Sequence, residues 1–334
     1  MSGAKRVNKI LTITMALLLA FSTMVLGGCA GETGSKDFTL EPKVTSPVIG
    51  TDGVLKVGVD SGETPFAGKY EGKIVGIDVD VAAALAEELG LTLEIVDTAG
   101  QSADTLLANG TVDVVMHVEQ TGGSTIQGIQ VGPYLTSGPA LFCVVNSDTV
   151  PTVDIKSLAG TKIAAQRESL SAWSLEELIG PGTADPKEKL EEAFAAAVQG
   201  PVNYAAADAV VGSYLAIKDF DDLACVKMLG TPIGVYAGVA KSSTQLADAL
   251  TDALRAIRDN GVLKTVISKW LGPVSASVVM GDSAVTSQST SISNSPSSTG
   301  ASGNTGNSNP TSAPTLPSGQ EDLGDDLPDP SNAG

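Results

Sequence analysis

The sequence is short of basic residues, aromatics, histidine and cysteine, and each shortage closes off a class of function. Lys and Arg number 20 against 38 Asp and Glu, a net charge of −18. That balance argues against nucleic acid as a partner and gives a soluble, self-repelling surface. Aromatics are 4% of the chain, so the core must be aliphatic. With one His and three Cys there is no metal-spaced His/Cys set, and neither a nucleophile motif nor a phosphate loop is present. No cofactor, metal or catalytic residue is expected. What is abundant is apolar: 42% of the 334 residues are hydrophobic, enough to bury one large domain or two small ones.

Lys5, Arg6 and Lys9 precede an apolar run over residues 10–26, and Gly27, Gly28 and Cys29 follow it. A basic start, a short apolar segment and small residues describe a secretory signal. With Cys next in line, the stretch resembles a bacterial lipobox. That resemblance implies removal of residues 1–28, lipid modification of Cys29 and anchoring on the outer face of the cell membrane. The alternative is an uncleaved membrane anchor, since the run is near the lower length limit for a span. Both place the remainder outside the cytoplasm. Residues 29–52, without periodicity and rich in Gly, Thr, Ser and Pro, read as a tether.

The stretch that organises the rest is residues 54–98. Leu55, Val57 and Val59 alternate with Lys56 and Gly58, the period of a strand. Gly62, Pro65 and Gly68 then lead out to a turn at Glu71-Gly72-Lys73. Asp78 can cap a helix in which Val81, Leu85 and Leu89 share a face, with Gly90 as its left-handed stop. Leu91, Leu93 and Ile95 alternate into a second strand. Strand, crossover helix and strand predict a parallel sheet with a ligand site beyond the strands' carboxyl ends.

This stretch reads VGVDxxxxPFxxxxxGxxVGxDVDVAxALAEELG and is followed by LLANGTVDVV. In these blocks it resembles the family 3 extracellular solute-binding proteins, and the likeness extends more weakly over residues 54–272. The resemblance implies a two-lobed periplasmic-binding-protein type II α/β fold with two hinge crossings. It also implies a monomer that delivers a small polar solute, an amino acid or a relative of one, to the permease of an ABC importer. On this frame residues 53–139 and 236–274 form lobe 1, and residues 140–235 form lobe 2.

Along the body, residues 102–109 predict a short helix and residues 112–116 a buried strand that delivers His117, Glu119, Gln120 and Thr121 to the cleft edge. Further strands are expected at 140–145, 162–165, 208–211 and 223–228, and the return crossing at 231–240. Two helices close lobe 1, one striped by Leu246, Leu250, Leu254 and Ile257, the other over residues 262–271. From residue 275 on, Ser, Thr, Asn, Gly and Pro dominate, Lys and Arg are absent, and acids gather at the end. Such a composition predicts a disordered, solvated tail, with a glycosylated spacer as the other reading. Cys143 and Cys225 lie in separate apolar segments; a disulfide and two buried thiols are both open readings.

In amino-acid-binding members of the family, an aromatic before the Pro-Phe pair stacks on the ligand and an Arg clamps its α-carboxylate. A lobe 2 acid pairs with its ammonium, and a Gly-Ser or Gly-Thr helix start adds donors. Here these positions fall on Glu63, on residues 122–125 where no Arg occurs, on Ser213 and on Glu168-Ser169. The scaffold is present and the amino-acid clamp is not. The candidates that position puts at the cleft are Glu63, Phe66, His117, Glu119, Gln120, Thr121, Gln166, Arg167, Ser169 and Ser213. Of these Phe66 also fits a wall, His117 a hydrogen-bonded structural role and Arg167 a solvated one. An acidic cleft favours a cationic or neutral polar ligand. Binding is the first function read from this, with a cyclohexadienyl-dehydratase-like enzyme using Glu63 or Glu119 with His117 as a second. A sensing or accessory lipoprotein on the same scaffold is a third.

Overall fold

Leu55, Val57 and Val59 are all buried in β1 (Val54–Val59) of the computed structural model, which describes residues 41–119, 125–220 and 222–281. A small hairpin, β2 (Gly68–Tyr70) and β3 (Lys73–Val75), turns at Glu71-Gly72, both at positive φ. Then come α1 (Ile77–Glu88) and β4 (Thr92–Asp97), which pairs in parallel with β1 from Val54↔Thr92 to Val59↔Asp97. This is the expected βαβ unit.

Its helix starts earlier than Asp78. Gly76 occupies the cap, and a Cβ there would lie 2.1 Å from the Phe66 carbonyl oxygen, so only glycine fits. The first turn's N–H groups are met by backbone: Ile77 donates to Pro65 and Asp78 to Phe66. Asp78 is therefore free of the capping role and is buried on the inner face of the first turn.

Helix α2 (Ala103–Ala108) buries Leu106 and Leu107. Strand β5 (Val114–Glu119) pairs in parallel with β1 and runs further than expected, so His117 and Glu119 are strand residues. After β6 (Ile129–Ser137) the chain changes sheet at Gly138 and continues as β7 (Pro139–Val144). A 3-10 turn (Ile155–Leu158) precedes β8 (Ile163–Gln166), α3 (Leu170–Leu178), β9 (Ala184–Lys187) and α4 (Leu190–Gln199). Next are β10 (Ala205–Asp208), α5 (Ala209–Asp219) and β11 (Leu223–Met228). The chain returns as β12 (Ile233–Val239), followed by α6 (Thr244–Asp259), α7 (Val262–Leu271) and α8 (Pro273–Val279).

Two five-stranded sheets result, in the orders β4-β1-β5-β12-β6 and β11-β7-β10-β8-β9. This is the two-lobed α/β architecture with two crossings. Val235 of β12 pairs with Glu119 on one side and Leu135 on the other, so β6 leaves the first sheet at the same edge as the carboxyl end of β5. Asp208, at the carboxyl end of β10, accepts from Ser137 Oγ and from the Gly138 N–H. The carboxyl edges of both sheets therefore meet at the first crossing. The second crossing lies beside it, with Ile233 paired to Ser137 and Leu229 N–H donating to Pro139.

Three further expectations need correction, and one open alternative is decided. Residues 208–211 are not a strand: β10 is Ala205–Asp208, and Asp208 caps α5 by accepting from Val210 and Val211 N–H. Three alanines are poor strand formers by propensity, but β10 lies fully buried between β7 and β8, where small side chains let the layers close. Residues 41–52 of the tether are packed against the body. Ile49 is buried, Lys43 N–H donates to Leu89, and Gly50 N–H donates to Asp113. The fold also runs past residue 275. Helix α8, with Pro273 at its first turn, buries Val274, Ser275, Ala276, Val278 and Val279 against β11 and β6. Finally, Cys143 and Cys225 are free thiols. Cys143 lies opposite Ala224 and Cys225 opposite Phe142, so adjacent positions on the ladder turn the two sulfurs to opposite faces of the sheet. Residues 1–40 and 282–334, with Cys29 and most of the tail, lie outside the described residues.

Candidate functional site

The carboxyl edge of the first sheet frames a cavity of about 520 Å³. Asp60 and Glu63 follow β1, Asp78 comes from the first turn of α1, Asp104 from that of α2, and Met116 and His117 from β5. The arrangement follows from the parallel order of β4, β1 and β5, which ends all three strands at one place.

His117 is the hinge of the chemistry here. Its φ is 56°, left-handed backbone that a non-glycine residue rarely adopts. Its N–H donates to Tyr134 Oη at 3.2 Å, and its ring lies 3.9 Å from that of Phe66, tilted by 51°. Nδ1 stands 4.0 Å from Asp78 Oδ2, and Nε2 stands 3.8 Å from Glu119 Oε1. These are ion-pair distances, too long for hydrogen bonds. Nδ1 itself is buried without a hydrogen-bond partner. Burial alone would hold the imidazole neutral, but the carboxylates of Glu119, Asp78 and Glu63 outweigh it and raise its pKa. Asp78 is almost fully buried, and burial lifts its carboxyl from 3.8 to about 6 against the pull of His117 and of the Tyr134 hydroxyl.

Next to the cavity, Asp97 at the end of β4 is anchored differently. Burial would raise its pKa, yet the Ser61 hydroxyl, Lys69 ammonium and N–H groups of Ala99 and Ser61 together hold it at about 2. Lys69 Nζ sits 3.0 Å from its carboxylate. No Lys or Arg is among the described residues that line the cavity, and the described residues hold no group of three or more His, Cys, Asp or Glu suited to a metal ion.

Of the sequence candidates, the structure gathers Glu63, His117 and Glu119 in and beside the cavity, with Phe66 buried as wall beneath the His117 ring. Gln120 and Thr121 lie outside the described residues. Gln166 ends β8 in lobe 2, and its buried Oε1 has no hydrogen-bond partner. The Arg167 side chain is 55% exposed and paired with Glu188 at 2.6 Å, the arrangement of its solvated reading. Ser169 is buried as the cap of α3, accepting from Ala172 N–H and donating to the Gln166 carbonyl. Ser213 lies inside α5, fully buried, and donates to the Ala209 carbonyl at 2.5 Å. None of these three faces the cavity.

Two residues escaped sequence reasoning. The sequence pattern makes Asp78 a helix cap, and only its burial beside His117 makes it part of the site. Asp208 is the acid at the carboxyl end of the lobe 2 strand, the place that a strand over residues 208–211 would give to Ser213. The signal that could have found it is the N-cap pattern of Asp before Ala-Val-Val. Burial raises its carboxyl, while N–H donors of Val211, Val210 and Gly138 and the Ser137 hydroxyl oppose that rise.

The comparisons agree with this architecture. The model of the bacterial extracellular solute-binding proteins, family 3, matches residues 55–273. The L-cystine-binding protein TcyA of Bacillus subtilis is 25% identical over 265 residues, spanning 77% of this chain and 96% of that protein. An ancestral cationic amino acid solute binding protein superposes with a TM-score of 0.50 at 26% identity, over 66% of this chain and 96% of the other. The L-cystine solute receptor of Neisseria gonorrhoeae, in its unliganded open conformation, gives a TM-score of 0.52 at 21% identity, over 66% and 92%. With the family model matching residues 55–273, well over half of the sequence, this chain belongs to the bacterial extracellular solute-binding proteins, family 3.

Proposed function

We propose that the protein is the solute-binding component of an ABC importer, held outside the cell membrane through a lipid on Cys29. It would capture one small polar solute, an amino acid or a related compound, and present it as a monomer to the permease. The observation that carries this reading is the meeting of both sheets' carboxyl edges at two adjacent crossings, with a cavity open at one of those edges. A solute held by Glu63 and His117 from lobe 1 and touched by Gln166 from lobe 2 favours closure, because only the closed state makes both sets of contacts. Relatives named for binding amino acids support this reading.

The test is a thermal-shift and calorimetric screen of the full chain in detergent against amino acids, amines and other polar solutes. A solute in hundredfold excess over its Kd adds about 2.7 kcal/mol to stability, a shift of several degrees without turnover. Silence across the panel, with the protein folded, defeats the reading.

One observation favours a second reading, a dehydratase of a cyclic amino acid: a carboxyl near pKa 6 lies beside His117 at the cavity, suited to proton transfer. Consumption of such a substrate by the purified chain, abolished in His117→Gln, would establish it over the receptor.

A further inference from the structure

The receptor reading leaves the class of solute open, and the cavity's charge narrows it. Carboxylates of Asp60, Glu63, Asp78 and Asp104 line the space from three separate segments, and the described lining residues include no Lys or Arg. Residues 120–124 carry neither residue in their sequence. Lys69 is held by Asp97, and Arg167 by Glu188 in the solvent. Asp208 adds a further acid where lobe 2 meets the crossing.

An α-amino acid brings an ammonium that suits such a place and a carboxylate that does not. Once the lobes close, that carboxylate would be desolvated among like charges, with no Lys or Arg in the lining to answer it and with the His117 ring already at ion-pair distance from Asp78 and Glu119. An orphan atom in the lining points the same way: His117 Nδ1 is a buried nitrogen that accepts a hydrogen bond when the ring is neutral. Across the crossing, at the end of β8 in lobe 2, Gln166 Oε1 is a buried acceptor without a donor. An ammonium or guanidinium offers only donors. Met116 and Val115 supply apolar surface to the same cavity for a methylene chain.

We infer that the solute is an organic cation without a carboxylate, a diamine or guanidino-amine, bound through its charged ends by the Glu63, Asp78 and His117 cluster. This rests on the receptor reading above.

Matched pairs that differ by one carboxylate test it: cadaverine with lysine, putrescine with ornithine, and agmatine with arginine, each titrated calorimetrically into the full chain. We expect at least one amine to bind at least about tenfold more tightly than its parent amino acid, and Glu63→Gln to weaken that amine by about tenfold. Glu63 is exposed, so the variant keeps its fold and its melting temperature. A parent amino acid that binds as tightly as its amine, or an amine indifferent to Glu63→Gln, overturns the inference while leaving a receptor for another ligand mode. Binding of neutral polar solutes alone does the same. Silence from amines, amino acids and neutral solutes together removes the receptor reading as well.

Discussion

The Tyr134 hydroxyl donates to Asp78 Oδ1 at 2.6 Å, joining β6 to the first turn of α1 beneath the cavity. The same oxygen accepts from the His117 N–H. One phenol thus fixes both the carboxylate and the strained backbone that carry the site's charge. Burial and the adjacent Asp78 carboxylate push its own pKa well up, so it remains a donor across the physiological range.

Tyr134→Phe removes that donor and leaves Asp78 and the His117 N–H short of a partner. Hydrogen bonds to charged groups contribute about 1.5–3 kcal/mol, so urea unfolding should show a loss of about that size. A loss well under 1 kcal/mol would mean that the phenol is replaceable by water.

Stability should peak in mildly acidic solution. Folded Asp78 keeps its proton to about 6 against an ordinary 3.8, so the native state binds more protons in that window and stability falls as pH rises through it. The raised His117 acts the same way: its contribution is complete below its ordinary 6.5 and is lost as pH climbs through its folded value. Asp97 works in the opposite sense, losing its contribution as pH falls from 3.8 toward about 2. Urea midpoints should therefore be highest near pH 4 to 5 and decline toward pH 8, by on the order of 1–3 kcal/mol. Midpoints still rising between about pH 5 and 8 would refute the assignment.

Asp208→Ala strips a helix cap and the acceptor for the Gly138 N–H and Ser137 hydroxyl at the crossing. A cap is worth about 1 kcal/mol and each buried orphan about 1–3, so a loss of about 2–4 kcal/mol is expected by chemical denaturation. Asp208→Asn keeps an acceptor and should cost less. Equal losses for the two would show that charge, not capping geometry, is what matters there.

The thiols should behave independently. Cys143 is partly exposed and Cys225 buried, and burial raises the pKa of both, further for Cys225. Maleimide should label Cys143 slowly in the native protein and Cys225 only after unfolding, as mapped by peptide mass spectrometry. A reductant-sensitive melting temperature, or a peptide linking the two residues, would contradict the opposite-face placement.

Much of this was legible in the chain itself, because it is local. Alternation of Leu55, Val57 and Val59, the helical stripe through Leu85 and the stop at Gly90 depend on neighbours within one or two turns, and they specify the βαβ unit. The blocks around Pro65-Phe66 and Asp78 carried the family resemblance, and the excess of acids was plain from composition. The leading helices of lobe 1 and the strands at 139–144 and 223–228 followed the same periodicities.

Tertiary structure decided what depends on contacts far apart in sequence. Asp78 became part of the site through Tyr134, 56 residues away, and Asp208 became the crossing's anchor through Ser137, 71 residues away. Three alanines became a strand because two neighbouring strands bury them, and α8 formed where β11 and β6 offer it a surface, with Ser275 accepting from Cys225 N–H. Ser169 and Ser213 looked like ligand donors until their hydroxyls were taken by backbone. A sequence can announce which residues are polar, but whether a polar atom is already satisfied depends on partners that only folding brings within 3 Å.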